Sequence, residues 1–244
     1  EPATQTMNAL LFDVSATTVG DAFDFSAANL NNFNSSVTSV GCCNLLSTAG
    51  SALKIKGSTA YPVYIVGTNL TAAGPALIID GPSNALTRQT LTQMVINTSG
   101  GSDADGVRIL TGVPSISDVF INAAGRGIDV QSQPNHTSYY TTLTRVTINS
   151  GNDGVRIGDG LIGRHEFYQL VARAAGTGAR GIAVNAGLYL SNSSVTATES
   201  ALVIQNLKNN YNYFAGSTLI SQNAAGIDIS GNVAVNNWQI GRAH

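Results

Sequence analysis

The chain has 244 residues, with 12 Lys and Arg against 14 Asp and Glu and a formal net charge of −2, so charge gives it no claim on nucleic acid or an anionic membrane. Only 11% of residues are charged, against about a quarter in an average soluble domain, and no apolar run approaches the ~20 residues of a membrane span. Cys42 and Cys43 are neighbours without metal-ligand spacing and read as small buried residues, and neither a cofactor nor a metal is expected.

Residues 1–45 fit no repeat and contain most of the phenylalanines, among them Phe23, Phe25 and Phe33. They are expected to cover one end of the fold, with a short helix over 22–33, because an open strand edge invites association. The first residue is Glu1 rather than Met, so the chain reads as processed or as a piece of a longer one.

From residue 46 onward a motif recurs: a small residue, then apolar, any, apolar. The copies are Ala52–Ile55, Ala76–Ile79, Gly106–Ile109, Gly127–Val130, Gly154–Ile157, Gly181–Val184, Ala201–Ile204 and Gly226–Ile229, at steps of 24, 30, 21, 27, 27, 20 and 25 residues. A period in this range marks a solenoid. A second apolar position precedes most copies by six residues (Leu46, Leu70, Ile121, Ile148, Val195, Ile220) and two copies by ten (Ile96, Val171). The period-two alternation, the Val and Ile content and the Gly, Ser, Asn and Asp between runs predict short strands joined by tight corners. The expected fold is all-β: a single-stranded right-handed parallel β-helix of about eight to nine coils over 46–244. Val233–Ile240 begins another coil, which leaves that end to further residues or to a partner chain.

Aligning the copies puts charges in two columns. One residue before the small position stand Asp105, Arg126, Asp153 and Arg180 on consecutive coils. Two residues after it stand Lys54, Arg108, Asp129, Arg156 and Asp228. Both columns flank inward-pointing residues and are expected to point outward, alternating in sign. One reading is a surface ion-pair network. The other is a sugar-binding or catalytic face with Asp105, Asp129 and Asp153 as candidate acids and Arg126 and Arg156 as substrate contacts. Asp105 and Asp153, two coils apart, lie roughly 9–10 Å from each other at the backbone, near the spacing of inverting glycosidases. Neighbouring arginines would hold these acids ionised, which suits a general acid poorly.

Other candidates lie in insertions. Residues 131–142 carry His136, Tyr139 and Tyr140, and 205–217 carry Tyr211, Tyr213 and Phe214. Both read as projecting loops that either contact sugar rings or cover coil edges. Residues 159–166 bring His165 and Glu166 together with Arg164 and Asp159, as a solvated loop or as an acid and base.

Thr147–Ile157, Ala225–Ile229 and Phe167–Val171 leading into Gly178–Val184 resemble coils of the pectate-lyase-like β-helix superfamily. Within it, the low charge and the Asn, Ser and Thr content are most similar to bacteriophage tailspikes and tail fibres. The resemblance implies a homotrimer of parallel subunits at the virion tail, outside the host cell. It would contact other tail proteins, bind a bacterial surface polysaccharide and, as many relatives do, cut it. A secreted polysaccharide lyase or glycoside hydrolase, and a non-catalytic adhesive filament subunit, are the alternatives.

Overall fold

The computed structural model describes residues 13–16, 20–25, 38–41, 43–56, 63–80, 88–132, 141–158, 164–185, 187–205, 212–230 and 238–240. Among these, every regular element is a strand and every strand pairing is parallel. The strands form a narrow sheet of nine and a wide sheet of fifteen. Consecutive partners in each sheet are one coil apart in sequence, so the fold is a parallel β-solenoid.

The narrow sheet is built from the recurring triplets. Leu77, Val107, Ile128, Val155, Ile182, Leu202 and Ile227 are register partners from coil to coil, and all but Ile227 are buried. The small residue before each triplet sits where the chain turns beneath the wide sheet. A Cβ on Gly127 would run into Ile148 Cγ2 and the Gly154 carbonyl, and one on Gly181 into Val195 Cγ1 and the Ala201 carbonyl. Smallness there is a packing demand of the next coil, not a turn requirement.

The wide sheet carries a crease. At one position in each of seven coils the backbone is left-handed: Gly67 (φ 63°), Gln93 (55°), Asp118 (55°), Arg145 (53°), Gln169 (54°), Asn192 (49°) and Gly216 (56°). Five of the seven are not glycine, at a cost of roughly 1–2 kcal/mol each. The residue after the crease turns into the core and offsets that cost: Thr68, Met94, Val119, Val146, Leu170 and Ser193 are buried. The hydroxyls of Thr68 and Ser193 donate back to the carbonyls of Val66 and Ser191 at 3.2 and 2.9 Å.

Three expectations are corrected. The second apolar column is Leu45, Leu70, Ile96, Ile121, Ile148, Ala172, Val195 and Leu219. Leu46, Val171 and Ile220 are exposed instead, because in a strand a one-residue slip moves a side chain to the other face. The described parts of 1–45 are strands of the coil stack: Asp13–Ala16 pairs with Asn44–Ser47, Phe23–Phe25 with Leu53–Lys56, and Thr38–Gly41 with Val63–Val66. Ala22-Phe23-Asp24-Phe25 is a ninth copy of the motif with aromatic residues in the apolar places. The helix expected over 22–33 is therefore a strand at its start, and 26–37 lie outside the described residues. Cys43 is buried and unpaired, as expected, and Cys42 lies outside the described residues. The strand Trp238–Ile240 pairs with Asn212–Ala215 and opens the further coil read from 233–240.

Candidate functional site on the outer wall

The acids of the corner column do not point at solvent. Asp105 and Asp153 fold under the turn, and their Oδ1 atoms accept the backbone N–H of the equivalent residue one coil on, Arg126 at 2.8 Å and Arg180 at 2.9 Å. Asp21 does the same for Ser51 at 2.7 Å, and Lys54 lies 2.5 Å from its other oxygen. Asp105, Asp129 and Asp153 are all buried, which corrects the expectation of outward carboxylates. The corner exposes a backbone donor that a buried carboxylate satisfies, and an arginine lies over it as counter-ion.

The arginines carry the alternation in sign. Arg156 forks onto Asp129 through Nε at 2.6 Å and Nη2 at 3.0 Å. Arg180 places Nη2 2.6 Å and Nε 3.2 Å from Asp153. Arg108 holds Asp105 at 2.8 Å, and Arg126 reaches towards Asp105 and Asp129 at 3.9 and 3.7 Å. Burial raises the Asp105 carboxyl above its ordinary value, against hydrogen bonds from the Arg126 amide and the Arg108 side chain. The hydrogen bonds to Asp129 raise the Arg156 guanidinium. Carboxylates held in this way clamp coils together, and each is roofed by a guanidinium instead of facing a sugar.

A groove opens beside these arginines. Along the outer column of the narrow sheet, Arg156 is followed in register by Ala183 and Val203, and the small Ala183 leaves a gap between larger neighbours. The resulting cavity is about 280 Å³ and is lined by Gln131, Arg156, Ile157, Gly158, Arg180, Ala183, Asn185 and Gln205. Arg156 and Arg180 are each about one-third exposed. They spend Nε and Nη2 on the buried acids and leave Nη1 without a partner among the described residues. Gln131 and Gln205 stand where the two longest insertions leave the sheet. No acid lines this groove among the described residues; its polar lining is side-chain amides, each both donor and acceptor, and two guanidinium groups.

The remaining candidates lie elsewhere. His165 and Glu166 are on the strand Arg164–Tyr168 of the wide sheet, not in a solvated loop. His165 faces inward, fully buried and against Phe167 at 6.3 Å. Neither ring nitrogen has a hydrogen-bond partner among the described residues, and burial pushes its pKa down to about 3. It is a neutral core residue, beyond reach of a ligand on the wall. Glu166 is half-buried on the outer face and accepts a hydrogen bond from the Tyr168 hydroxyl at 3.1 Å. Tyr168, Tyr189 and Tyr213 pile up beside it, with ring centroids 5.2 and 4.7 Å apart. The second insertion is thus partly strand, and it places Phe214 in the core. His136, Tyr139, Tyr140 and Tyr211 lie outside the described residues, as does Asp159. Sequence reasoning missed the groove itself, whose signal is a single alanine, Ala183, in a column of larger side chains. No cluster of three metal-ligating side chains and no helix able to cross a membrane occur among the described residues.

Comparison with family models, with curated proteins and with solved structures finds no match to this chain.

Proposed function

We propose that the chain is a receptor-binding protein of tailspike or tail-fibre type that holds a bacterial surface polysaccharide on the outer wall of its solenoid. The observation that carries this reading is the groove over Ala183: side-chain amides and two guanidinium groups line a shallow polar cleft set in a parallel sheet. Sugars present many acceptor oxygens to such a cleft, and a scaffold whose backbone is already ordered leaves only the side chains to be fixed on binding. Binding is favoured over cleavage because the acids nearest the groove are committed to coil-to-coil contacts. The proposed setting is the virion tail, outside the cell, as a homotrimer in contact with other tail proteins.

The test is a glycan array on the purified chain, alongside an Ala183→Tyr variant that fills the groove. Selective retention of a bacterial glycan is expected, with affinity at least tenfold weaker in the variant while the melting temperature stays within a few degrees. Unchanged binding by Ala183→Tyr would move the site elsewhere. Release of reducing ends or unsaturated sugars from the retained glycan would replace the binding reading with an enzymatic one. Light scattering checks for three chains.

A further inference from the structure

A second face of the solenoid carries a pattern that the groove does not use. On the wide sheet beyond the crease, outward residues form two columns. One runs Val95, Phe120, Thr147, Val171 and the other Asn97, Asn122, Asn149, Arg173, both paired in register over four coils. The first column continues through Asn44 and Asn69 before Val95 and through Ser194 and Thr218 after Val171; within these four coils it is apolar except for Thr147, and Val95, Phe120 and Val171 are 42%, 40% and 48% exposed. The second presents three amides and then a guanidinium. Asn122, Asn149, Ser150, Gly151 and Arg173 line a cavity of about 320 Å³ beside it. Arg173 is exposed and, unlike Arg108, Arg156 and Arg180, has no carboxylate partner among the described residues.

We propose that this pair of columns is a second glycan-binding strip, selective for an acidic polysaccharide running along the solenoid axis. The inference rests on the polysaccharide reading above and adds a site and a ligand charge to it. A pyranose chain is itself two-sided, with apolar C–H faces and hydroxyl edges. Phe120 and Val171 match the first, as aromatic and aliphatic side chains do in wet, sugar-sized sites. Asn122 and Asn149 each offer a donor and an acceptor to the hydroxyls. The coil spacing of about 4.8 Å sets these amides at one interval along the chain. The guanidinium of Arg173 is planar and suited to a carboxylate in bidentate geometry. With no acid among the described residues to neutralise it, its preferred ligand carries that carboxylate.

The experiment uses the full chain with Ala183→Tyr blocking the groove, a polyuronic acid oligosaccharide, and the same oligosaccharide with its carboxyls reduced to alcohols. Calorimetric titration should show the acidic ligand still binding in the Ala183→Tyr background, and the reduced ligand at least tenfold weaker. Arg173→Gln should remove the difference between the two ligands, and Phe120→Ser should weaken both. Both substituted positions are exposed, so folding is checked by an unchanged melting temperature. Acidic and reduced ligands bound equally by the wild type would overturn this inference and leave the polysaccharide reading standing. No glycan bound by the wild type would overturn both. Loss of all binding in Ala183→Tyr places every contact in the groove and removes the strip. If Phe120→Ser dissociates an oligomer without changing glycan affinity, the strip is a contact between copies and not a glycan site.

Discussion

His165 occupies a core position in register with Leu188, and among the described residues it has no partner to share a proton with. Its effect on stability has a definite sign. In the unfolded chain the imidazole takes up a proton near its ordinary value of 6.5, and in the folded chain only near 3. Between those values the unfolded state binds more protons, so stability falls as pH drops, by at most about 1.4 kcal/mol per pH unit. Asp105 acts the other way. Its raised carboxyl takes up a proton in the folded chain at a pH where the unfolded chain has none, so it favours the fold as pH drops. Comparing variants separates the two: His165→Leu should flatten the loss of stability between pH 6.5 and 4 in urea titrations. An unchanged slope would show that the buried ring is protonated or solvated in the fold. None of this was legible beforehand. His165 sits among Arg164, Glu166 and Asp159, a charged neighbourhood that reads as solvent, and only strand register sends every second residue inward.

The element is the triplet with its small leading residue, and its packing predicts a contrast along the chain. Gly127→Ala pushes a methyl into Ile148 and the Gly154 carbonyl, and overpacking of this kind costs about 1–3 kcal/mol. Gly226→Ala meets nothing closer than the Leu219 carbonyl at 3.9 Å, and there the gain from a stiffer unfolded chain, about 0.4–1 kcal/mol, remains. Thermal melts should therefore move in opposite directions, and equal shifts would show that the corner has room. The triplets were legible because a small residue and period-two alternation recur together. Ala22-Phe23-Asp24-Phe25 escaped notice because its apolar positions are aromatic. The second column slipped at Leu45-Leu46, Val171-Ala172 and Leu219-Ile220, where two adjacent apolar residues leave alternation with nothing to choose between. The corner acids were placed in the right column and on the wrong side of it. A buried carboxylate depends on a backbone N–H some 21 to 30 residues away, and no local pattern reports that distance.

At the scale of the molecule, each coil touches only the coils before and after it, so stability is close to a sum over neighbours. The buried cluster runs without interruption from Cys43 to Phe214, whereas every residue of Ile227–Ser230 is exposed. Hydrogen exchange should grade accordingly, slowest across Val107–Thr111, Ile128–Ser132 and Val155–Ile157 and fastest at Ile227–Ser230. Uniform protection along the axis would mean the coils open as one unit. The architecture was legible because stacking repeats one pattern many times, so a few misread positions do not change it. The groove was not, because it arises from Ala183 lying in register with Arg156, a meeting of residues 27 apart that periodicity describes and composition does not mark.

The line of left-handed residues down the wide sheet turns each strand through an angle at the same height on successive coils. Surfaces on its two sides, and the narrow sheet behind them, face in separate directions, as the sides of a prism do. If both walls hold polymer as proposed, they cannot close on the same sugar ring. They would tether distant stretches of one strand, or neighbouring strands of a capsule, and hold by avidity where each contact alone is weak.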